Sequence, residues 1–391
     1  MPWKETGIVS ERMKFVVRAL SGKEKLVDLC EEFGIHRDTG HVWIKRYEES
    51  GNSLSSLHDR SRRPHQSPNK TVLKIEKEVI RLRKKHGWSG KKLFVLLEEN
   101  GIDVSIPTIN RIIKRNGLVK PKHSHENATK RFERSEPNEL WQMDFKGEYK
   151  NGLGWCYPFT LIDDHSRFSL GIKALDNQRS SSVQDQLIRV FKRYGKPESI
   201  LTDHGAQWWS ATNGHGLTKL SVFILKQDIR IIYSGIGHPQ TQGKIERYHR
   251  SLDEYINFHG KVIGLEKWQK TFDRFVKEYN HIRPHESLNM QRPAKCYSKS
   301  ERAFRSNPRK WEYNSGANVR KLSVHGCLAY KGHYYFVSEA LAHEWVKVEE
   351  YDENQLCVTY RKFPVRQINI ETGETKPVMA PSNKRRTSGM S

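Results

Sequence analysis

Two apolar, strand-like runs in this chain end at an aspartate, and a third carboxylate stands on an amphipathic helix downstream. Asp144 lies in Leu140-Trp141-Gln142-Met143-Asp144-Phe145, Asp203 in Ile200-Leu201-Thr202-Asp203-His204-Gly205, and Glu246 in Gly243-Lys244-Ile245-Glu246-Arg247. From about residue 137 the pattern alternates between strands and helices. Strands are expected at 140–145, 155–163 and 168–174, followed by a helix with Val183, Leu187, Val190, Phe191 and Tyr194 on one face. A strand at 199–202, a less regular segment over 207–227, a strand at 229–234 and a long helix over 241–259 complete the set. That order gives a mixed α/β sheet.

Upstream the chain is helical. Residues 11–50 read as three helices, the second with Leu26, Leu29, Cys30 and Phe33 at helical spacing. Gly34-Ile35-His36 interrupts it and a helix over 37–50 follows. Helix, short glycine-containing turn and helix is the helix-turn-helix plan. Its last helix is expected to present Arg37, Thr39, His41, Lys45 and Arg46 outward, with Val42 and Tyr47 packed inward. Residues 71–122 repeat the theme: Ile109, Ile112 and Ile113 are buried on a helix that exposes Arg111, Lys114 and Arg115, and Ser89 caps the helix before it. Between the two modules, Arg60-Ser61-Arg62-Arg63-Pro64 is too polar and basic to pack. Such a segment follows phosphates or enters a minor groove, or serves as a solvated tether.

After residue 310 no helical period persists, and short strands at 328–330, 334–337, 345–348 and 357–360 point to a small β-barrel. The expected domains are a helix-turn-helix at 1–53, a basic linker at 54–70, a second helix-turn-helix at 71–122, a catalytic core at 131–300, a β-barrel at 310–380 and a disordered basic tail at 381–391.

Lys and Arg number 68 against 45 Asp and Glu, a net charge of +23 over 391 residues. So large a single-sign charge favours a polyanionic partner, nucleic acid before membrane. No apolar stretch reaches the ~18 residues of a membrane span, and the first residues lack a signal peptide's apolar segment. A cytoplasmic, nucleoid-associated location is the expectation. The five cysteines form no Cys-x-x-Cys pair, which argues against a disulfide framework or a thiolate zinc site.

A carboxylate trio on a basic chain suits phosphodiester chemistry. Two Mg²⁺ ions about 3.5–4 Å apart neutralise phosphate oxygens and activate the attacking one. Mg²⁺ prefers carboxylate oxygens, so three carboxylates can serve two ions. On the long helix, Glu246, His249, Arg250 and Asp253 share a face beside the apolar line of Ile245, Tyr248, Leu252, Tyr255 and Ile256. Glu246 is therefore expected at the border of the buried side. Taken singly, an Asp at a strand end is usually a turn or cap residue, and a Glu on such a helix is usually solvated. The neighbouring sequence decides otherwise.

Trp141-Gln142-Met143-Asp144-Phe145 followed by Ile162-Asp163-Asp164-His165-Ser166-Arg167 resembles the opening of the retroviral-integrase-type core of bacterial insertion-sequence transposases. Thr202-Asp203-His204-Gly205-Ala206-Gln207-Trp208 is similar to that family's second-aspartate motif. His238-Pro239-Gln240-Thr241-Gln242-Gly243-Lys244-Ile245-Glu246-Arg247 is similar to its glutamate motif, and Tyr279-Asn280-His281-Ile282-Arg283-Pro284-His285-Glu286-Ser287-Leu288 to the segment that closes the core. The resemblance implies that Asp144, Asp203 and Glu246 are both the catalytic residues and the ligands of two Mg²⁺ or Mn²⁺ ions. It implies that Gly205 allows a tight turn, and that Lys244 and Arg247 lie beside the DNA end with Arg250. It implies a ribonuclease-H-like α/β core and a transposase acting on double-stranded DNA as a homo-oligomer, with no membrane or small-molecule substrate. One departure stands out: 42 residues separate Asp203 from Glu246, more than the family usually has, with the surplus expected within 208–218. Asp163 and Asp164 are expected to be turn residues, Asp163 pairing with a basic neighbour, and His238 is expected to order the glutamate loop. The rival readings are a non-catalytic DNA-binding regulator and a nuclease of RNA–DNA hybrids.

Overall fold

A computed structural model describes residues 7–60, 71–119, 134–210, 216–234 and 243–378. Expectations at Arg62, Arg63, His238, the surplus loop at 211–215 and the tail 381–391 fall outside them. The chain divides into two compact units, Met1–Thr71 and Val72–Ser391.

In the first unit, α1 (Ile8–Leu20), α2 (Leu26–Glu32) and α3 (Arg37–Glu49) enclose Phe15, Val16, Leu29, Cys30, Tyr47 and Leu57. Gly40 lets α3 approach closely: a Cβ there would stand 2.8 Å from Cys30 Sγ and 2.9 Å from the Phe15 ring. Val42, expected inside, is 60% exposed. The inward positions of α3 are Gly40, Trp43, Ile44 and Tyr47 instead, a face set by the contact at Gly40.

The second unit opens with α4 (Leu73–His86), α5 (Gly90–Glu99) and α6 (Ile106–Arg115), whose core includes Val79, Leu82, Leu93, Leu97, Ile109, Ile112 and Ile113. Ser89 is the N-cap residue of α5, but its side chain makes no capping hydrogen bond.

The central sheet follows: β1 (Leu140–Phe145), β2 (Tyr149–Asn151), β3 (Gly154–Asp163), β4 (Ser169–Leu175), then α7 (Ser180–Tyr194), β5 (Ser199–Thr202), α8 (Lys219–Lys226) and β6 (Arg230–Tyr233). β1 is central, antiparallel to β3 on one side and parallel to β5 on the other, and β6 continues parallel to β5. Strand alternation sends Trp141 and Met143 to one face, where Leu187 and Phe191 of α7 and Ile224 of α8 pack. The opposite face carries Gln142 and Asp144 and is covered by α9 (Gly243–His259) and α10 (Leu265–His281). Trp268, Phe272, Phe275 and Tyr279 are the buried side of α10.

After the short α11 (Pro293–Cys296) come β7 (Val319–Lys321), β8 (Cys327–Tyr330), β9 (His333–Phe336), β10 (Trp345–Asp352), β11 (Gln355–Tyr360), β12 (Phe363–Asn369) and β13 (Thr375–Pro377). The expected β-barrel does not form. The described strands make an open five-stranded sheet in the order β13-β12-β11-β10-β7 and a separate β8–β9 hairpin. The two edge strands have three residues each and lie at opposite ends of that order. Nor is this region a separate core: Leu328, Val346, Leu356 and Val358 belong to one apolar cluster with Phe191, Ile224 and Leu225. Among the described residues, no helix is long and apolar enough to cross a membrane.

Candidate active site

The register of the sheet brings the two aspartates together. Gln142 of β1 pairs with Leu201 of β5, and two residues further along each parallel strand lie Asp144 and Asp203. Asp144 is mostly buried. Burial, then the charges of Asp203 and Glu246, push its carboxyl up to about 7. The three acids therefore share one electrostatic neighbourhood. They do not close on one point: among the described residues, no three His, Cys, Asp or Glu side chains form a group that could hold a metal ion.

Among the described residues, Asp203 is held on one side only. Trp208 Nε1 donates to its Oδ1 at 2.6 Å and the Gly205 N–H to the same oxygen at 2.9 Å. Trp208 is buried and stacks on Phe145, the residue after Asp144, with centroids 6.0 Å apart. Gly205 serves by close approach rather than by a left-handed turn. A Cβ there would stand 3.1 Å from Asp203 Oδ1 and 3.2 Å from Trp208 Nε1. Beside it, Thr202 Oγ1 and His204 Nε2 are buried with no hydrogen-bond partner among the described residues.

Glu246 is exposed on the first turn of α9, between buried Ile245 and Tyr248. The helix is bound to β1 on one side of it and to β3 on the other. Ile245 N–H donates to Gln142 Oε1 at 3.2 Å, and His249 Nε2 lies 2.7 Å from Thr160 Oγ1. Thr160 donates its own proton to the Asp144 carbonyl at 2.8 Å, so His249 must donate from Nε2. Burial and the Lys146 ammonium push His249 down to about 3. A neutral imidazole therefore turns the Nδ1 lone pair toward Asp144 Oδ2, 3.9 Å away. His249 was visible in the sequence as sharing the Glu246 face, but its contact with Asp144 was not. Asp253, on the same face, is engaged by Tyr149 at 2.8 Å and Lys146 at 3.0 Å.

Asp163 and Asp164 are fully buried. Asp163 accepts from the Asn138 N–H, the Ser166 N–H and the Ser166 hydroxyl, the turn role expected of it. A basic partner falls to Asp164: Lys244 Nζ lies 2.5 Å from Asp164 Oδ2. Lys244, placed by resemblance beside a DNA end, is thus bound inside the protein.

The remaining basic positions lie on the helices. Arg37, Thr39, His41 and Lys45 are exposed on α3, Arg60 is exposed after it, Arg111 and Lys114 on α6, and Arg247 and Arg250 on α9. Arg46 turns inward, donating to the His58 carbonyl at 2.6 Å and lying over Trp43. Arg115 pairs with Glu76 at 2.7 Å.

Residues 134–239 match the integrase core domain, and residues 227–293 match a second integrase core family model. The chain carries an integrase core. Ahead of that core, residues 11–65 match a helix-turn-helix domain and residues 39–113 a homeodomain-like domain. Relatives of the chain include a transposon transposase, proteins of insertion elements and retroviral Gag-Pol polyproteins. A transposase for transposon Tn552 from Staphylococcus aureus is 23% identical over 313 residues, covering 69% of this chain and 63% of that protein. A protein of insertion element IS407 from Burkholderia multivorans is 23% identical over 263 residues, covering 64% of this chain and 88% of its own length. The Gag-Pol polyprotein of baboon endogenous virus is 21% identical over 248 residues, covering 60% of this chain and 14% of the polyprotein. The chain thus spans less than two thirds of the first relatives it matches. The simian T-cell lymphotropic virus intasome is a solved structure similar at 13% identity and a TM-score of 0.39, covering 72% of this chain and 91% of that one.

Proposed function

We propose that this chain is the DNA transposase of an insertion sequence. It binds the terminal inverted repeats, frees a 3′ hydroxyl at each end, and joins that hydroxyl to target DNA. The observation that carries the reading is the pairing of β1 with β5, which sets Asp144 beside Asp203 with the start of α9 bound to the same strand. Three carboxylates are a hard-oxygen donor set, suited to Mg²⁺ or Mn²⁺. The raised Asp144 carboxyl fits such an occupant, because burial first and then the charges of Asp203 and Glu246 disfavour its ionised form, and a bound cation offsets both.

Asp144, Asp203 and Glu246 are the ligands assigned to two divalent ions. Bound there, the ions would neutralise phosphate charge and activate the attacking and leaving oxygens. The chain's own groups orient the site. Trp208 and Gly205 hold Asp203 by one oxygen and leave the other for a ligand role. Glu246 turns inward from its exposed position to complete the set. Arg247 and Arg250 on the same helix meet phosphates of the DNA end. Arg37, Thr39, His41 and Lys45, with Arg60, Arg111 and Lys114, grip the duplex. Two ends joined in one event call for a homo-oligomer assembled on DNA, acting in the cytoplasm where the nucleoid lies. The domain limits proposed are those expected from the sequence, except that the terminal strands form an open sheet packed on the central core rather than a separate barrel.

The open arrangement of the acids favours one second reading, a DNA-binding regulator without catalysis. A duplex carrying the inverted repeat, incubated with the protein and Mg²⁺, separates the two. Transposition predicts nicking at the repeat end and strand-transfer products, lost in Glu246→Gln. End binding with no metal-dependent nicking would leave the regulator. Binding should weaken steeply with salt, each phosphate contact contributing ~0.9 to the log–log slope.

A further inference from the structure

We infer that Asp164 is a positioning residue for Glu246, acting through Lys244 and Gln142; the inference rests on the reading of Glu246 as a metal ligand. Asp164 is wholly buried at the turn after β3. Its Oδ1 accepts from Gln142 Nε2 at 2.7 Å, and its Oδ2 accepts from the Arg134 N–H at 3.0 Å and pairs with Lys244 Nζ at 2.5 Å. Lys244 also donates to the Asp164 carbonyl at 3.2 Å. Gln142 uses its other end on the helix, where Oε1 accepts the Ile245 N–H.

One carboxylate therefore grips β1 and the first turn of α9 together. Ile245 is the third residue of α9, and the first N–H groups of a helix have no acceptor within it. Gln142, a strand residue, supplies that acceptor. Gln142 lies two residues before Asp144, and Lys244 and Ile245 are the two residues before Glu246. Apolar packing of Ile245, Tyr248 and Leu252 selects which side of α9 faces the sheet, but it is non-directional and does not set the height of the first turn. The hydrogen bonds do. A buried ion pair is a poor source of stability, because desolvation offsets the attraction, so geometry is the better account of it.

The test uses the full chain without metal and titrates Mn²⁺ by calorimetry, with thermal unfolding measured in parallel. Asp164→Asn and Lys244→Met should each weaken Mn²⁺ binding ~10–100-fold, the range for groups that orient metal ligands, and Asp164→Asn should leave inverted-repeat binding unchanged. The double variant Asp164→Asn/Lys244→Met removes both buried charges. It should regain thermal stability while Mn²⁺ binding stays weak. Wild-type Mn²⁺ affinity in the refolded double variant would overturn the inference, leaving a merely structural pair. Tighter Mn²⁺ binding in Lys244→Met would also overturn it, since a freed Asp164 would then be a ligand itself. Glu246→Gln separates the two levels. If it leaves Mn²⁺ binding intact, the ligand reading fails; if it weakens binding while the Asp164 and Lys244 variants do not, only the positioning role fails.

Discussion

Two pairs of aspartates, on neighbouring strands of one sheet, are treated in opposite ways. Asp163 and Asp164, at the end of β3, lie at zero exposure with both carboxylates surrounded by donors. Asp144 and Asp203, at the ends of β1 and β5, are partly open, and both hydrogen bonds on Asp203 fall on one oxygen. The saturated pair holds the chain: Asp163 closes a turn and Asp164 joins strand to helix. The unsaturated pair carries its charges close together: burial, then Asp203 and Glu246, raise the Asp144 carboxyl. A carboxylate used for structure is satisfied by the fold, whereas one used for chemistry is kept partly unsatisfied, at a cost in stability.

The largest effect expected from this contrast is on reaction. Replacing Asp144, Asp203 or Glu246 by Ala should lower metal-dependent cleavage of an inverted-repeat duplex on the order of 10³-fold or more, measured in a gel assay with end binding as the control. Cleavage within a few-fold of wild type in any of the three would break the contrast. Next in size is a stability effect of opposite sign. Asp144 has a carboxyl raised to about 7 when folded, against about 4 unfolded. Its contribution to stability is therefore complete below pH ~4 and lost as pH rises through about 7. Asp144→Asn should stabilise the metal-free chain at pH 8, by at most on the order of 4 kcal/mol, and have little effect at pH 4. A thermal midpoint that moves equally at both pH values would refute the assignment. Asp163→Ala should do the reverse and destabilise by about 3 kcal/mol, because buried donors from Asn138 and Ser166 lose their acceptor. Denaturant unfolding would show it, and a neutral result would mean that the saturated pair is not structural. Asp253→Asn should be the mildest. Its carboxylate is 40% exposed beside Lys146, so the loss should stay under about 1 kcal/mol, with cleavage retained.

Much of the fold could be read from the chain. Apolar runs ending at Asp144 and Asp203, and the helical period around Glu246, placed three carboxylates on two strands and a helix. One other signal was present and unused: Trp268, Phe272, Phe275 and Tyr279 carry a helical period that marks α10. The less regular helical segment expected over 207–227 contains α8, Lys219–Lys226. The open terminal sheet was beyond reach, because alternating strands read alike whether or not the last one closes on the first. Val42 and Arg46 exchanged expected sides on α3, since the approach at Gly40 fixed the rotation of that helix.

The sequence by itself determined local order: which segments are strands or helices, which face of each is apolar, and which acids sit at strand ends. Those follow from backbone sterics and the spacing of apolar residues, which act over a few positions. Only the tertiary structure decided that Asp164 rather than Asp163 takes a lysine 80 residues away, that Gln142 caps a helix, and that His249 meets Asp144. Such pairings depend on the register of β1 against β5 and on where α9 crosses the sheet. Chain neighbours carry no information about either.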